Sequence, residues 1–280
     1  MNPPTPSQKI FSLLSWNIEH FSLGHTDKVR VVQHIRSFDP DIFALLEVVG
    51  ADVWHYMFDA FPEHNFFITE GEQSQEILIA VRKTIKFFIT QRDEFKSGRT
   101  FLRPGSLLSF KIDDEVYSIL FLHLKSMNDP EGFGLRADML NHVFNLKGVL
   151  DHAAGGAGKA NFIVMGDLNT MGMNYYRDND ITAATELKYI SYRAKRRKMD
   201  LLPKTHTATW TNGATLFSDL DHTIASRQIN FRVWNGAKVK VDGWNRYSPD
   251  SPDYQDFIKK VSDHCSLYCE VVEKDSANIQ

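Results

Sequence analysis

Apolar residues along the chain fall into two rhythms. Short runs dense in Val, Ile, Leu and Phe read as buried strands, and they occupy residues 10–16, 41–46, 66–69, 77–82, 85–90, 107–112, 116–122, 161–165, 217–225, 229–233 and 265–272. Helical spacing predicts four helices, over 26–38, 53–61, 135–152 and 182–198. In the first, Thr26 is the expected cap and Val29, Val32, Ile35 and Phe38 the inward side. Pro62 stops the second, and Leu135, Met139, Val143, Leu146 and Leu150 line one side of the third. Lys83-Thr84 and Asp113-Asp114 sit where tight turns are expected, and 153–159 is a small-residue connector. The Pro-rich start, residues 1–9, and the polar end, 274–280, read as tails, which leaves 10–273 as one domain. Mixed strands with few helices predict an α+β fold in which two packed sheets carry helices outside, a four-layer αββα sandwich.

Composition narrows the class. A chain of 280 residues that is 42% hydrophobic and 24% charged buries a sizeable core and is not disordered. Its net charge of −3 gives no global field for a polyanion, so any nucleic-acid contact falls to a local basic patch. Cys265 and Cys269, if on one strand, stand roughly 13 Å apart, too far for a disulfide. Reduced thiols suit a cytoplasmic setting. The opening Met1-Asn2-Pro3-Pro4-Thr5-Pro6 lacks the basic-then-apolar order of a signal peptide. No run approaches the ~18 apolar residues of a membrane span.

The chemistry concentrates where strands end. The run Phe162-Ile163-Val164-Met165 breaks at Gly166 into Asp167-Leu168-Asn169-Thr170. Residues two apart on an extended segment point to one side, so Asp167 and Asn169 leave the strand aimed together. As an isolated segment this is equally a polar turn. The design recurs, however, at Asn17-Ile18-Glu19, at Glu47, at His123-Leu124-Lys125-Ser126, at Asp221-His222 and at Asp263-His264. Apolar strands that each end in Asn, Glu, His or Asp are what a sheet scaffold needs to present a catalytic cluster at one rim.

Taken in order, Trp-Asn-Ile-Glu (16–19), Leu-Leu-Glu (45–47), His-Leu-Lys-Ser (123–126), Gly-Asp-Leu-Asn (166–169), Leu-Asp-His (220–222) and Ser-Asp-His (262–264) resemble the signature set of the endonuclease/exonuclease/phosphatase, or deoxyribonuclease-I-like, superfamily. The resemblance spans nearly the whole chain. It implies hydrolysis of phosphoester bonds with Mg²⁺ or Mn²⁺. It also implies Glu47 as principal metal ligand, with Asn17, Glu19 and Asp263 reaching the ion or its water. Asp167 corresponds to the water-activating base and Asn169 to a phosphate-orienting amide. His264, held by Asp221, and His123 correspond to phosphate contacts. A hard cation offsets oxyanion charge and prefers carboxylate oxygen, which fits these residue types. Arg103, Lys125 and Arg136 are candidate phosphate contacts, with a bland surface role as the alternative for each.

The favoured activity is a phosphodiesterase on nucleic acid, acting as a monomer. A phospholipid, inositol phosphate or other small phosphoester is the alternative substrate, and an inactive binding module of the same fold the remote one. The basic run Arg193-Ala194-Lys195-Arg196-Arg197-Lys198 falls where family members carry substrate-facing segments, and either tracks a polyphosphate backbone or is a solvated helix side. Tyr175, Tyr176, Trp210, Trp244 and Tyr247 either stack on bases or plug loops onto the core. His222 alternates away from Asp221 and reads as a packed structural residue. Gly155-Gly156-Ala157-Gly158-Lys159-Ala160 is not a phosphate-binding loop, because it follows a helix and precedes a strand, and Ala160 has no hydroxyl. The cysteine pair lacks zinc spacing.

Overall fold

Continuous apolar runs need burial on both faces, and the fold provides it. The computed structural model describes residues 7–72, 75–176 and 180–274. Residues 1–6 and 275–280, most of the two expected tails, lie outside the described residues. The elements, in order, are β1 (Lys9–Phe21), α1 (Lys28–Phe38), β2 (Ile42–Val48), α2 (Ala51–Ala60), β3 (His64–Ile68), β4 (Glu76–Arg82), β5 (Phe87–Arg92), β6 (Gly105–Ile112), β7 (Glu115–His123), α3 (Pro130–Ala153), β8 (Asn161–Asp167), α4 (Ala183–Arg196), β9 (Met199–Leu201), β10 (Trp210–Thr211), β11 (Phe217–Ser218), β12 (Asp221–Ser226), β13 (Lys240–Asp242), α5 (Pro252–Lys260) and β14 (Ser266–Val272).

Two six-stranded sheets form, with orders β13-β14-β1-β2-β4-β3 and β5-β6-β7-β8-β12-β9. Each contains one parallel pair, β1 with β2 and β7 with β8. Parallel neighbours require a crossover, and α1 and α3 supply the two. Side chains alternate across the second sheet. Ile119, Phe121, Ile163 and Met165 turn toward the first sheet, and Leu120, Leu122, Phe162 and Val164 toward α3 and α4. Phe11 meets Phe110 and Tyr117 edge-on at 5.1 and 4.9 Å, closing the layer between the sheets. Helices therefore lie outside two packed sheets, as the residue pattern predicts. The C-terminal ends of β1, β2, β7 and β8 share one rim with the starts of the antiparallel β12 and β14, and every strand-end motif sits there.

Several local expectations change. Asp27, not Thr26, caps α1, accepting from the Arg30 N–H at 3.2 Å. The buried stripe of α1 is Val31, His34 and Ile35, while Val29 is exposed. A buried histidine reads as polar, which shifts the apparent phase of the helix. Lys83-Thr84 does form a tight turn, closed by the Ile85 N–H on the Arg82 carbonyl at 2.9 Å, but it passes the chain from one sheet to the other instead of making a hairpin. Asp113 and Asp114, both with positive φ (48° and 69°), do make the β6–β7 turn. Residues 229–233 form no strand; they join β14 through an isolated Phe231–Val271 bridge and an Arg232–Glu270 ion pair. The expected strand 217–225 breaks into β11, which pairs with β10, and β12. Among the described residues no helix is long and apolar enough to cross a membrane. Both cysteines are buried free thiols.

Candidate active site

The site grows from a single row across the second sheet. His123 on β7 lies opposite Asp167 on β8, and Asp167 lies opposite Asp221 on β12. Gly166 makes this close approach possible. Its φ is +147°, and a Cβ there would fall 2.0 Å from the Leu122 carbonyl oxygen. Beyond the row the chain turns sharply. Asn169 adopts φ +49°, its backbone N–H donates to Asp167 Oδ1 at 2.9 Å, and its side-chain amide donates to the Leu124 carbonyl at 3.1 Å. Thr209 Oγ1 accepts from the Leu220 and Asp221 N–H groups at 3.0 and 2.9 Å and so fixes Asp221.

The first sheet supplies the other half. β1 loses its register with β2 after Asn17, and Glu47 sits in the left-handed region at φ 62°. Such backbone strain in a non-glycine residue is typical of functional positions. Asn17 Nδ2 donates to Glu47 Oε1 at 3.1 Å and to Asp167 Oδ2 at 3.0 Å. One amide thus joins carboxylates from both sheets. His123 Nε2 lies 3.4 Å from Glu47 Oε1 and 3.6 Å from Asp167 Oδ2. Ser262 Oγ donates to the Asn17 carbonyl at 2.7 Å and accepts from the His264 N–H at 2.9 Å. His264 Nδ1 meets Asp221 Oδ2 at 2.8 Å, which leaves Nε2 facing Asn17 at 3.5 Å and Asp167 at 3.9 Å.

Sequence reasoning did not anticipate the support around Asp263 and His264. Trp210 Nε1 donates to Asp263 Oδ2 at 2.6 Å, Trp244 Nε1 to the Asp263 carbonyl at 2.9 Å, and Trp16 Nε1 to the His264 carbonyl at 3.0 Å. Gln75 Nε2 and the His20 N–H each donate to Glu47 Oε2 at 3.2 Å. Most of these partners come from segments distant in sequence from the groups they support, Trp16 and His20 on β1, Trp210 on β10 and Gln75 and Trp244 outside the strands, so no local spacing announces them.

Electrostatics divide the site into two ends. Burial, then the Asp221 charge, raises the Asp167 carboxyl to about 7. Burial alone would depress His264, but Asp221 and then Asp167 outweigh it and raise its pKa to about 10, so it is an imidazolium at neutral pH. His123 goes the other way: burial, then Arg103, holds it well below the usual histidine range and neutral. At the opposite end, the exposed Glu19 turns its carboxyl toward Asp263 and Glu47. Desolvation of that carboxyl, then the Asp263 charge, raises it to about 7. Asp263 is raised by burial and by Glu47.

The fit for a hard cation follows from this crowding. Asp263 Oδ1 is buried without a hydrogen-bond partner among the described residues, and Glu19, Glu47 and Asp263 have only oxygen to offer. Asp167, Asp221 and His264 also bring ligand-type atoms within 4.8 Å of one another. A protonated His264 bonded to Asp221 has no lone pair for a metal, so that trio suits proton handling instead. The residues present fit a Mg²⁺-like ion at the Glu47 end.

Other candidates are placed elsewhere. Arg136 is fully buried, pairs with Glu186 at 2.9 Å and donates to the Lys125, Met127 and Gly172 carbonyls. It cannot reach a phosphate at the rim, because its charge is spent fastening α3 to α4 and to the loop after β8. Arg103 stays beside the site, donating to the His123 and Leu124 carbonyls and to Gln75. Lys125 is half-buried and makes no ion pair among the described residues. The basic run closes the far end of α4, since the Arg227 N–H donates to the Lys198 carbonyl just past β12, so it does not face the rim. His222 is a packed residue, with Nε2 2.8 Å from Thr170 Oγ1. Trp244 and Tyr247 plug the core, against Tyr254 and Phe257 respectively, while Tyr176 is exposed.

Comparison with known proteins follows the same outline. The model of the Endonuclease/Exonuclease/phosphatase family matches residues 14–264. Truncated TDP2 from Caenorhabditis elegans superposes with a TM-score of 0.65 at 15% identity, covering 94% of this chain and 98% of that one. D. rerio TDP2 complexed with single strand DNA product gives 0.63 at 17% identity, covering 94% and 99%. The human Nocturnin catalytic domain with bound sulfate gives 0.57 at 15%, covering 93% of each. No curated protein matches the chain.

Proposed function

From the premise that this chain belongs to the endonuclease/exonuclease/phosphatase family, we propose that it is a divalent-metal-dependent phosphodiesterase acting on nucleic acid. The observation that carries the reading is the Asn17 amide bonded to Glu47 on one side and Asp167 on the other. Glu47, with Asn17, Asp263 and Glu19 around it, would hold the ion. When bound, Mg²⁺ or Mn²⁺ offsets the negative charge that develops on the phosphoryl oxygens.

The chain's own groups do the rest. Asp167, raised to about 7, is a base matched to neutral pH. It takes a proton from the attacking water as the new P–O bond forms and the bond to the leaving alcohol breaks. His264, an imidazolium kept in one orientation by Asp221, donates from Nε2 to a non-bridging or leaving oxygen. His123, neutral and buried, presents Nε2 to the same space. Asn169 orients Asp167 through its backbone N–H; its amide, turned to the Leu124 carbonyl, becomes a phosphate contact only if it rotates. Nucleic acid is the substrate class favoured by the neighbour complexed with single strand DNA product.

The test is a substrate panel of single- and double-stranded DNA, RNA, phosphoinositides and choline phospholipids, with Mg²⁺ or Mn²⁺ and with chelator. Cleavage of a nucleic acid, stopped by chelator, is expected. Glu47→Ala, Asp167→Ala and His264→Ala should each lower kcat/KM by about 1,000-fold or more. Turnover of lipids alone would redirect the substrate class, and full activity in any of the three variants would sink the site assignment.

A further inference from the structure

The basic run that does not face the catalytic rim still has an unusual setting. Between Glu186 and Asp200 the chain carries Lys188, Arg193, Lys195, Arg196, Arg197 and Lys198 and no carboxylate. The flanking acids are already taken, Glu186 by Arg136 and Asp200 by Arg227. None of the six cations forms an ion pair among the described residues, although the whole chain is net acidic. Ile190 and Ala194 face the core, and Lys188, Tyr189, Tyr192, Lys195 and Arg196 face solvent. The negative end of the helix dipole accounts for basic residues in the last turn. It does not account for Lys188 near the start.

The exposed rings are built into this surface. The Arg193 guanidinium lies over Tyr189 and Phe144 and donates to Asn141; Arg196 lies over Tyr192. Tyr189 and Tyr192 are 55% and 58% exposed, so each offers a face beside a positive charge. The track has a direction. Near the rim, the Gly172 N–H donates to Glu186 at 2.7 Å, three residues past Asn169. Across the 14 residues of α4 the helix then runs about 21 Å away from the rim, roughly six phosphate spacings of one duplex strand.

We propose that the outer face of α4 is an accessory docking surface for a nucleic-acid backbone, holding strand that extends beyond the catalytic rim. This rests on the nucleic-acid reading above. An anionic membrane is the less suitable polyanion. Interfacial helices bury large apolar side chains, and the exposed positions of α4 carry none larger than alanine besides the two arginine-paired tyrosines.

The experiment compares the full chain with the triple variant Lys188→Gln, Lys195→Gln and Arg196→Gln, none of which supports the core. Binding of a fluorescent single strand of about 30 nucleotides is measured from 50 to 200 mM salt. Removing three phosphate contacts should lower the log–log salt slope by about 2 and weaken binding at least 10-fold. Turnover of bis(4-nitrophenyl) phosphate, too small to touch α4, should stay unchanged, as should the thermal midpoint. Equal affinity and slope in the two proteins would overturn the proposal. So would a variant that loses binding only to phosphatidylserine vesicles. If the slope falls while the parent chain cleaves no nucleic acid, the docking surface stands and the substrate reading fails.

Discussion

Asp221 sets the charge of two neighbours at once. Its carboxylate raises His264 through the 2.8 Å contact and raises Asp167 across the strand pair. In the proposed mechanism, activity climbs as Asp167 loses its proton near 7 and declines as His264 loses its own near 10. Asp221→Asn removes a negative charge, which lowers both pKa values. Both limbs of the kcat/KM profile should therefore move to lower pH, alongside a loss of about 100-fold or more. A profile whose limbs stay in place would remove Asp221 from this role. Asp167, Asp221 and His264 are legible in the sequence because each ends or begins a strand. Trp210, Trp244 and Thr209 are not legible, because their partners lie on other elements. Arg136 shows the opposite failure, since an arginine looks equally available whether it is solvated or, as here, enclosed with Glu186.

At the scale of elements, the spacing between β7 and β8 holds His123 against Asp167. Gly166→Ala would force a Cβ against the Leu122 carbonyl in a backbone conformation that favours glycine. It should cost more than about 3 kcal/mol in denaturant unfolding and abolish metal-dependent turnover; a variant with normal stability would mean the strands have room. Arg136→Met strands Glu186 as a buried charge and should lose about 3–5 kcal/mol. Because the Arg136 guanidinium is taken up by Glu186 and three backbone carbonyls, KM in any folded fraction should be unchanged; a raised KM with intact stability would return it to the phosphate-binding role. The strands were readable as elements because apolar runs buried on both faces are conspicuous. α5 escaped notice although Ser251-Pro252 opens it, since it is only nine residues long. The phase of α1 is hidden by His34, a polar residue doing the work of an apolar one.

Across the whole molecule, buried neutral histidines tie stability to pH. His34, packed at a tilt against the Trp16 ring and bonded to Ser266, is pushed down to about 3 by burial, then by Arg246. An unfolded histidine binds its proton near 6.5, so between those values the unfolded state holds the extra proton. Stability present above pH 6.5 is then lost on acidification toward 3, at about 1.4 kcal/mol per pH unit for this residue. His34→Gln should flatten the pH dependence of unfolding between pH 6 and 4 by about one proton; an unchanged slope would mean His34 titrates normally. Fold and site were legible together because one arrangement, sheets packed with their strand ends at a common rim, explains both patterns. Substrate choice was not, because loops and surfaces such as the outer face of α4 carry no strand-end signature. The most direct measurement is the rate of phosphodiester hydrolysis against Mg²⁺ concentration for the parent chain and for Glu47→Gln, which keeps the shape and removes the charge. The parent should show saturable, chelator-sensitive turnover, and the variant a rate lower by about 1,000-fold. Equal rates in the two, or turnover that persists in chelator, would contradict a metal-dependent site at the meeting of the two sheets.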